Sequence, residues 1–145
     1  MRDFYRNLVI DKLLRYEHAK SFIESSSLEI KELESKKDPK IIGSYGLSVG
    51  KASHDDIDVL LNINAKIDLL KNNREENLRL VKSLDRAMVG MSESEKDITV
   101  GIYGSRKRDS RIYDLCKKYK YEKSQLYRIA NDGLRHISLK LYGSE

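Results

Sequence analysis

One proline in 145 residues, Pro39, most constrains this chain. On either side of it, apolar residues recur at steps of three and four for thirty residues or more, and nothing else forbids helix. From about Phe4 to Lys37, Tyr16, Ala19, Ile23, Ser26, Ile30 and Leu33 mark the seam of a coiled coil. The pattern permits a break near Asp11. It must stop at Asp38, because the residue before proline is pushed out of helical geometry. A second run, from Ser53 to about Val89, carries Leu60, Ile63, Ile67, Leu70, Arg74, Asn77, Val81, Leu84 and Met88. Ser53 suits an N-cap, and Asp55 and Asp56 oppose the helix dipole in the first turn. Arg74 and Asn77 put polar groups into the seam, a device that sets register or oligomeric state at some cost in stability. The expectation is a long antiparallel helical hairpin, coiled-coil-like, over residues 1–90. A pair of arms buries little surface per residue, so the seam is expected to be shared with a second copy, giving a homodimer; the alternative is a monomer whose hairpin folds back onto the carboxyl-terminal domain.

Residues 38–53 form a glycine-rich connector. Gly43 to Gly50 looks like a phosphate loop, but Lys51 is followed by Ala52 where that motif needs Ser or Thr, and no strand precedes it. Ile41, Ile42, Tyr45, Leu47 and Val49 are expected to pack over the hairpin end.

Gly90 marks a boundary, and 91–145 reads as a second domain. Ser92 and Glu95 have capping-box spacing before a helix with Ile98, Ile102 and Tyr103. A basic turn, Ser105 to Ser110, leads into a short helix from Arg111 to Tyr119. Another helix follows over about 122–141, where Leu126, Ile129, Leu134 and Ile137 share one side. Two short helices joined by a tight turn form a helix-turn-helix, and the whole chain is expected to be all-α. Tyr121, at the turn, is expected to plug the core between the two helices.

Charge points the same way. Between Arg106 and Lys140 eleven basic residues face four acidic ones, an excess of seven against a whole-chain net of +5, so the remainder carries −2. That asymmetry suits a nucleic-acid-binding end. In the second helix of the motif, Lys123, Ser124, Gln125, Tyr127 and Arg128 are the candidates for base edges in the major groove. Arg and Lys suit guanine, and Gln suits adenine. Arg106, Lys107, Arg108, Arg111, Lys117, Lys118, Lys120, Asn131 and Arg135 are candidates for phosphate contacts, which position the protein and make its affinity salt-dependent.

Other chemistry is not indicated. His18, His54 and His136 lie apart and no metal spacing occurs, so no cofactor or metal is expected. Asp55-Asp56 and Glu75-Glu76 sit in highly charged helical contexts that suit a solvated face. No nucleophile–base constellation can be named, and an enzyme is not expected. One cysteine, Cys116, excludes an internal disulfide and fits a reducing cytoplasm; its helical context makes it a small, partly buried residue. With 35% charged residues, a mean hydropathy of −0.61 and no apolar run near ~20 residues, no membrane span is expected. Met1-Arg2-Asp3-Phe4-Tyr5-Arg6 does not open a signal peptide.

Ser92 to Ile137 resembles the fourth region of bacterial sigma-70-type factors. The acidic opening helix Met91-Ser92-Glu93-Ser94-Glu95-Lys96-Asp97-Ile98 and the closing pattern Tyr127-Arg128-Ile129 … Gly133-Leu134-Arg135-His136-Ile137 carry that likeness. The whole chain, a long hairpin followed by this module, resembles the small phage and prophage transcriptional activators of the ArpU/RinA type. The resemblance implies a cytoplasmic, double-stranded-DNA-binding activator of late or packaging genes, with host RNA polymerase as a further partner. A small terminase-like packaging subunit, also built from a helix-turn-helix and oligomerising arms, is the alternative. A protein-binding adaptor acting on RNA polymerase is another. The chain departs from the pattern at Lys120, where the turn often has glycine, and in the first helix of the motif, Ile112 to Tyr119, which lacks the usual small residue near its middle; Cys116 is small enough to substitute. Lys120 must accept a left-handed backbone or the turn must differ.

Overall fold

The computed structural model describes residues 1–37 and 54–145, with side chains from 57 onward in the second stretch. Every regular element described is a helix: α1 Asp3–Ser35, α2 His54–Ala87, α3 Glu93–Tyr103, α4 Arg108–Tyr119 and α5 Lys123–Tyr142. The chain is all-α, as its periodicity requires. The permitted break near Asp11 does not occur. The connector 38–53, with its phosphate-loop look-alike and the Ser53 cap, and the side chains of Asp55 and Asp56, lie outside the described residues.

The chain divides into two compact units. The smaller, Ser21–Leu78, is a two-helix segment. Its helices run antiparallel, since Arg74 faces Ile23 and Ser27 while Lys66 reaches Glu29 further along α1. The seam is lean: Ser26, Leu33 and Ile67 are buried, and Ile23, Ile30, Leu60, Ile63 and Leu70 are half-buried. Arg74, polar in an apolar stripe, is accommodated by donating through Nε to Ser27 Oγ at 3.0 Å and to the Ile23 carbonyl at 3.4 Å. Lys66–Glu29 and Lys71–Glu34 pair along the rim at 3.0 and 3.7 Å. Both pairs are exposed, so each contributes under about 1 kcal/mol.

The larger unit joins Met1–Lys20 to Arg79–Glu145. The boundary expected at Gly90 therefore falls inside it. The reason is a shared core: Val9, Leu13 and Tyr16 of α1 and Leu84, Ala87 and Met88 of α2 pack with Ile98 and Ile102 of α3, Ile112 and Leu115 of α4, and Leu126, Ala130, Leu134 and Ile137 of α5. Burying each of those larger aliphatic side chains contributes about 1.5–3 kcal/mol. Tyr16 gives its hydroxyl to Asp85 in a short hydrogen bond across the two long helices.

Local chemistry sets the ends of the short helices. Gly90, at φ +93°, takes the chain out of α2 in a conformation that a side chain would resist. The capping box expected at Ser92 is present: Ser92 Oγ accepts from the Glu95 amide at 3.2 Å, and the Glu95 carboxylate accepts from the Ser92 amide at 3.0 Å. At the crossing of α3 with α5 the backbones approach closely over Gly133, where Thr99 occupies the space a Cβ would need.

Candidate nucleic-acid interface

Helices α4 and α5 are separated by Lys120, Tyr121 and Glu122, and this turn makes them a helix-turn-helix. Lys120 adopts φ 56° and ψ 36°, the left-handed conformation in which helices commonly end. The backbone demand is thus met by lysine where glycine would meet it without strain, at a cost of about 1–2 kcal/mol. Lys120 is the one non-glycine residue with positive φ among those described. Ile112 and Leu115 of α4 and Leu126 of α5 fill the space between the helices. Tyr121, expected to do so, remains 39% exposed and stacks on Tyr119 at 6.3 Å between ring centroids. The aliphatic residues already fill the site, which leaves the larger ring outside.

The first turn of α5 is held by Gln125, whose Oε1 accepts from the Glu122 amide at 3.2 Å. Lys123, Ser124, Gln125 and Arg128 are exposed, as the outward face of the second helix requires. Tyr127 is half-buried and packs against the core, so its ring is partly structural.

Of the expected phosphate contacts, Arg106, Lys107, Arg108, Arg111, Lys117, Lys118, Lys120 and Arg135 are exposed. Several already have protein partners. Arg111 pairs with Glu17 at 3.1 Å and Lys118 with Asp97 at 2.7 Å; Lys117 lies 4.4 Å above the Tyr113 ring. The ion pairs are solvent-exposed and readily exchanged. Asn131 differs from the rest. It is half-buried, and its Oδ1 accepts from Tyr103 Oη at 2.5 Å and from Arg6 Nη1 at 3.2 Å. Its oxygen is thus committed inside the fold, and only its amide nitrogen could donate to a phosphate.

Asp97 shows how the motif is braced. Partial burial pushes its carboxyl up, but the hydrogen bonds from Lys118 and Tyr119, with the Lys118 and Arg111 charges, outweigh burial and hold it below the usual carboxylate range. The Asp97 hydrogen bond in turn raises both Lys118 and Tyr119. Cys116 is half-buried against the core, as its position in α4 suggested.

Nothing in the sequence ties Arg6 or Tyr103 to this site. They lie 125 and 28 residues from the Asn131 that joins them, and no local pattern connects positions so far apart. No helix among the described residues is long and apolar enough to cross a membrane. Within the larger unit the fold defines a helix-turn-helix module that shares its core with the start of α1 and the end of α2. No protein-family model matches the chain, and neither does any curated protein or solved structure.

Proposed function

We propose that the chain is a sequence-specific DNA-binding transcriptional regulator, with α5 as its recognition helix in the major groove. The observation that carries this reading is the left-handed turn at Lys120 followed by an exposed helical face with Lys123, Ser124, Gln125 and Arg128. These are the side-chain types that meet base edges at the start of a recognition helix. Arg128 is the principal base reader, suited to a guanine. Gln125 keeps its amide donor for a base acceptor while its oxygen caps the helix; a bidentate contact with adenine requires release of that cap. Arg106, Lys107, Arg108, Arg111, Lys117, Lys118, Lys120 and Arg135 supply the phosphate contacts. The resemblance to ArpU/RinA-type activators extends the proposal to phage or prophage origin, action on late or packaging genes in the bacterial cytoplasm, and contact with host RNA polymerase.

The proposal includes a homodimer. The seam expected to be shared is already occupied within the hairpin, so the second copy would meet other apolar groups of the smaller unit. Leu28 on α1 is 64% exposed, and Leu61 and Leu69 on α2 are 59% and 60% exposed. Native mass in solution separates a dimer from the ring that a packaging subunit forms.

Selection of bound fragments from the source genome at physiological salt tests the function. A restricted set of fragments is expected, and Arg128→Ala should relax preference at one base position by about 1–3 kcal/mol. Recovery of fragments no different from random DNA would sink the proposal.

A further inference from the structure

Tyr103, at the end of α3, is 2% exposed, yet two guanidinium groups converge on its ring. The Arg6 guanidinium carbon lies 5.2 Å from the ring centroid and that of Arg108 lies 5.6 Å away. Arg6 is further fixed by Nη1 to Asn131 Oδ1 at 3.2 Å and Nη2 to Tyr103 Oη at 3.1 Å. Arg108 is fixed by Nε to the Ile102 carbonyl at 3.1 Å. Neither arginine forms an ion pair with a carboxylate among the described residues. Two like charges are thus gathered on one neutral ring with no carboxylate paired to either among the described residues. Each guanidinium retains unused donors from its set of five, pre-oriented by the bonds already made.

The location gives this cluster a role. Asn131 lies three residues beyond Arg128, so the two are neighbours on the surface of α5. Arg108 is the first residue of α4 and follows the exposed Arg106 and Lys107. The cluster therefore borders the face assigned to base reading. A planar guanidinium matches the oxygens of a phosphodiester in a two-pronged contact and balances its single negative charge, so a second guanidinium beside it suits the neighbouring phosphate.

We propose that Arg6 and Arg108, seated on Tyr103, grip neighbouring DNA backbone phosphates, one each, beside the groove occupied by α5. The amino-terminal helix, outside the helix-turn-helix, then belongs to the DNA-binding surface. This inference rests on the DNA-binding reading above. The bonds from Arg6 to Asn131 and Tyr103 hold its charge at a fixed distance from the recognition helix, so the phosphate contact sets the register of α5.

The test is the dependence of binding on salt, measured with the full chain on a random-sequence duplex. Each lost phosphate contact lowers the slope of log affinity against log salt by about 0.9. Arg6→Gln, which removes the charge while keeping a polar side chain, and Arg108→Ala should each show that fall. Arg6→Lys should keep the wild-type slope. If wild type binds with a salt-dependent slope but Arg6→Gln keeps that slope, the clamp is refuted and the DNA-binding reading stands. Loss of slope in Arg108→Ala alone also refutes it, because Arg108 would then act as an ordinary contact of the motif. Absence of salt-dependent binding by the wild type to any duplex overturns both.

Discussion

Gly133→Ala is the substitution for which the structure gives the sharpest expectation. Alanine is the better helix former by about 1 kcal/mol, so at an unremarkable site in α5 the change would stabilise. Here the new Cβ would lie 2.0 Å from Thr99 Oγ1, 2.9 Å from its Cγ2 and 3.0 Å from its Cβ. Turning the Thr99 side chain cannot clear the clash, because its Cβ is fixed to the α3 backbone. Moving Oγ1 also breaks its 2.7 Å bond to the Glu95 carbonyl, at a site where Thr99 is wholly buried. Forcing a methyl group into a packed core costs about 1–3 kcal/mol. The lost hydrogen bond adds about 1 kcal/mol. Against the propensity gain, the net is a loss of about 1–3 kcal/mol. Guanidinium unfolding of the full chain measures it directly. Thr99→Ala removes two of the three clashing atoms, so the cost of Gly133→Ala should shrink by about 1 kcal/mol or more in that background. Gly101→Ala, where the only approach under 3.0 Å is to the flexible end of Leu115, is the matched control and should be close to neutral. A Gly133→Ala protein as stable as wild type, or strict additivity with Thr99→Ala, would refute the close-approach account.

The remaining expectations concern the turn, the cap and the Asp97 brace. Lys120→Gly should raise stability by up to about 1 kcal/mol as the left-handed strain is relieved, whereas Lys120→Ile should lower it, both read from unfolding midpoints. A stabilised isoleucine variant would contradict the backbone conformation described. Ser92→Ala should cost about 1 kcal/mol through loss of the bond to the Glu95 amide, measured in the same way. The Asp97 carboxyl is held low in the folded state, so its contribution is present above the ordinary carboxylate pKa and is lost as pH falls through the lowered folded value. Asp97→Asn should therefore reduce stability at neutral pH and flatten its acid decline. The effect should stay under about 1 kcal/mol because the pair with Lys118 is exposed. An unchanged acid limb in the variant would show that Asp97 makes no such contribution.

Much of the architecture is legible in periodicity and punctuation, because those act over a few residues. Pro39 and the three–four spacing separate the two long helices. Ser92 and Glu95 announce α3, and the interval from Tyr119 to Lys123 announces the turn. Even the strain at Lys120 follows from knowing which position needs a left-handed residue. The outward base-reading candidates are equally local, since alternation around one helix determines which side chains can face solvent. Tyr121 shows the limit: an aromatic residue at a turn could enter the core or stay outside, and only the volume already filled by Ile112, Leu115 and Leu126 decides.

By itself, the sequence determines helix content, helix ends and the surplus of positive charge toward the carboxyl-terminal part. Tertiary structure alone decides which distant segments share a core. It brings the base of the hairpin into one unit with α3, α4 and α5, and it seats α3 against α5 at Gly133. It also makes the Asn131 oxygen the acceptor for Tyr103 and Arg6. Helical propensity and capping are settled by neighbours within a turn of chain. Burial and side-chain pairing across 125 residues depend on how the apolar faces close on one another, and that closure has no local signature.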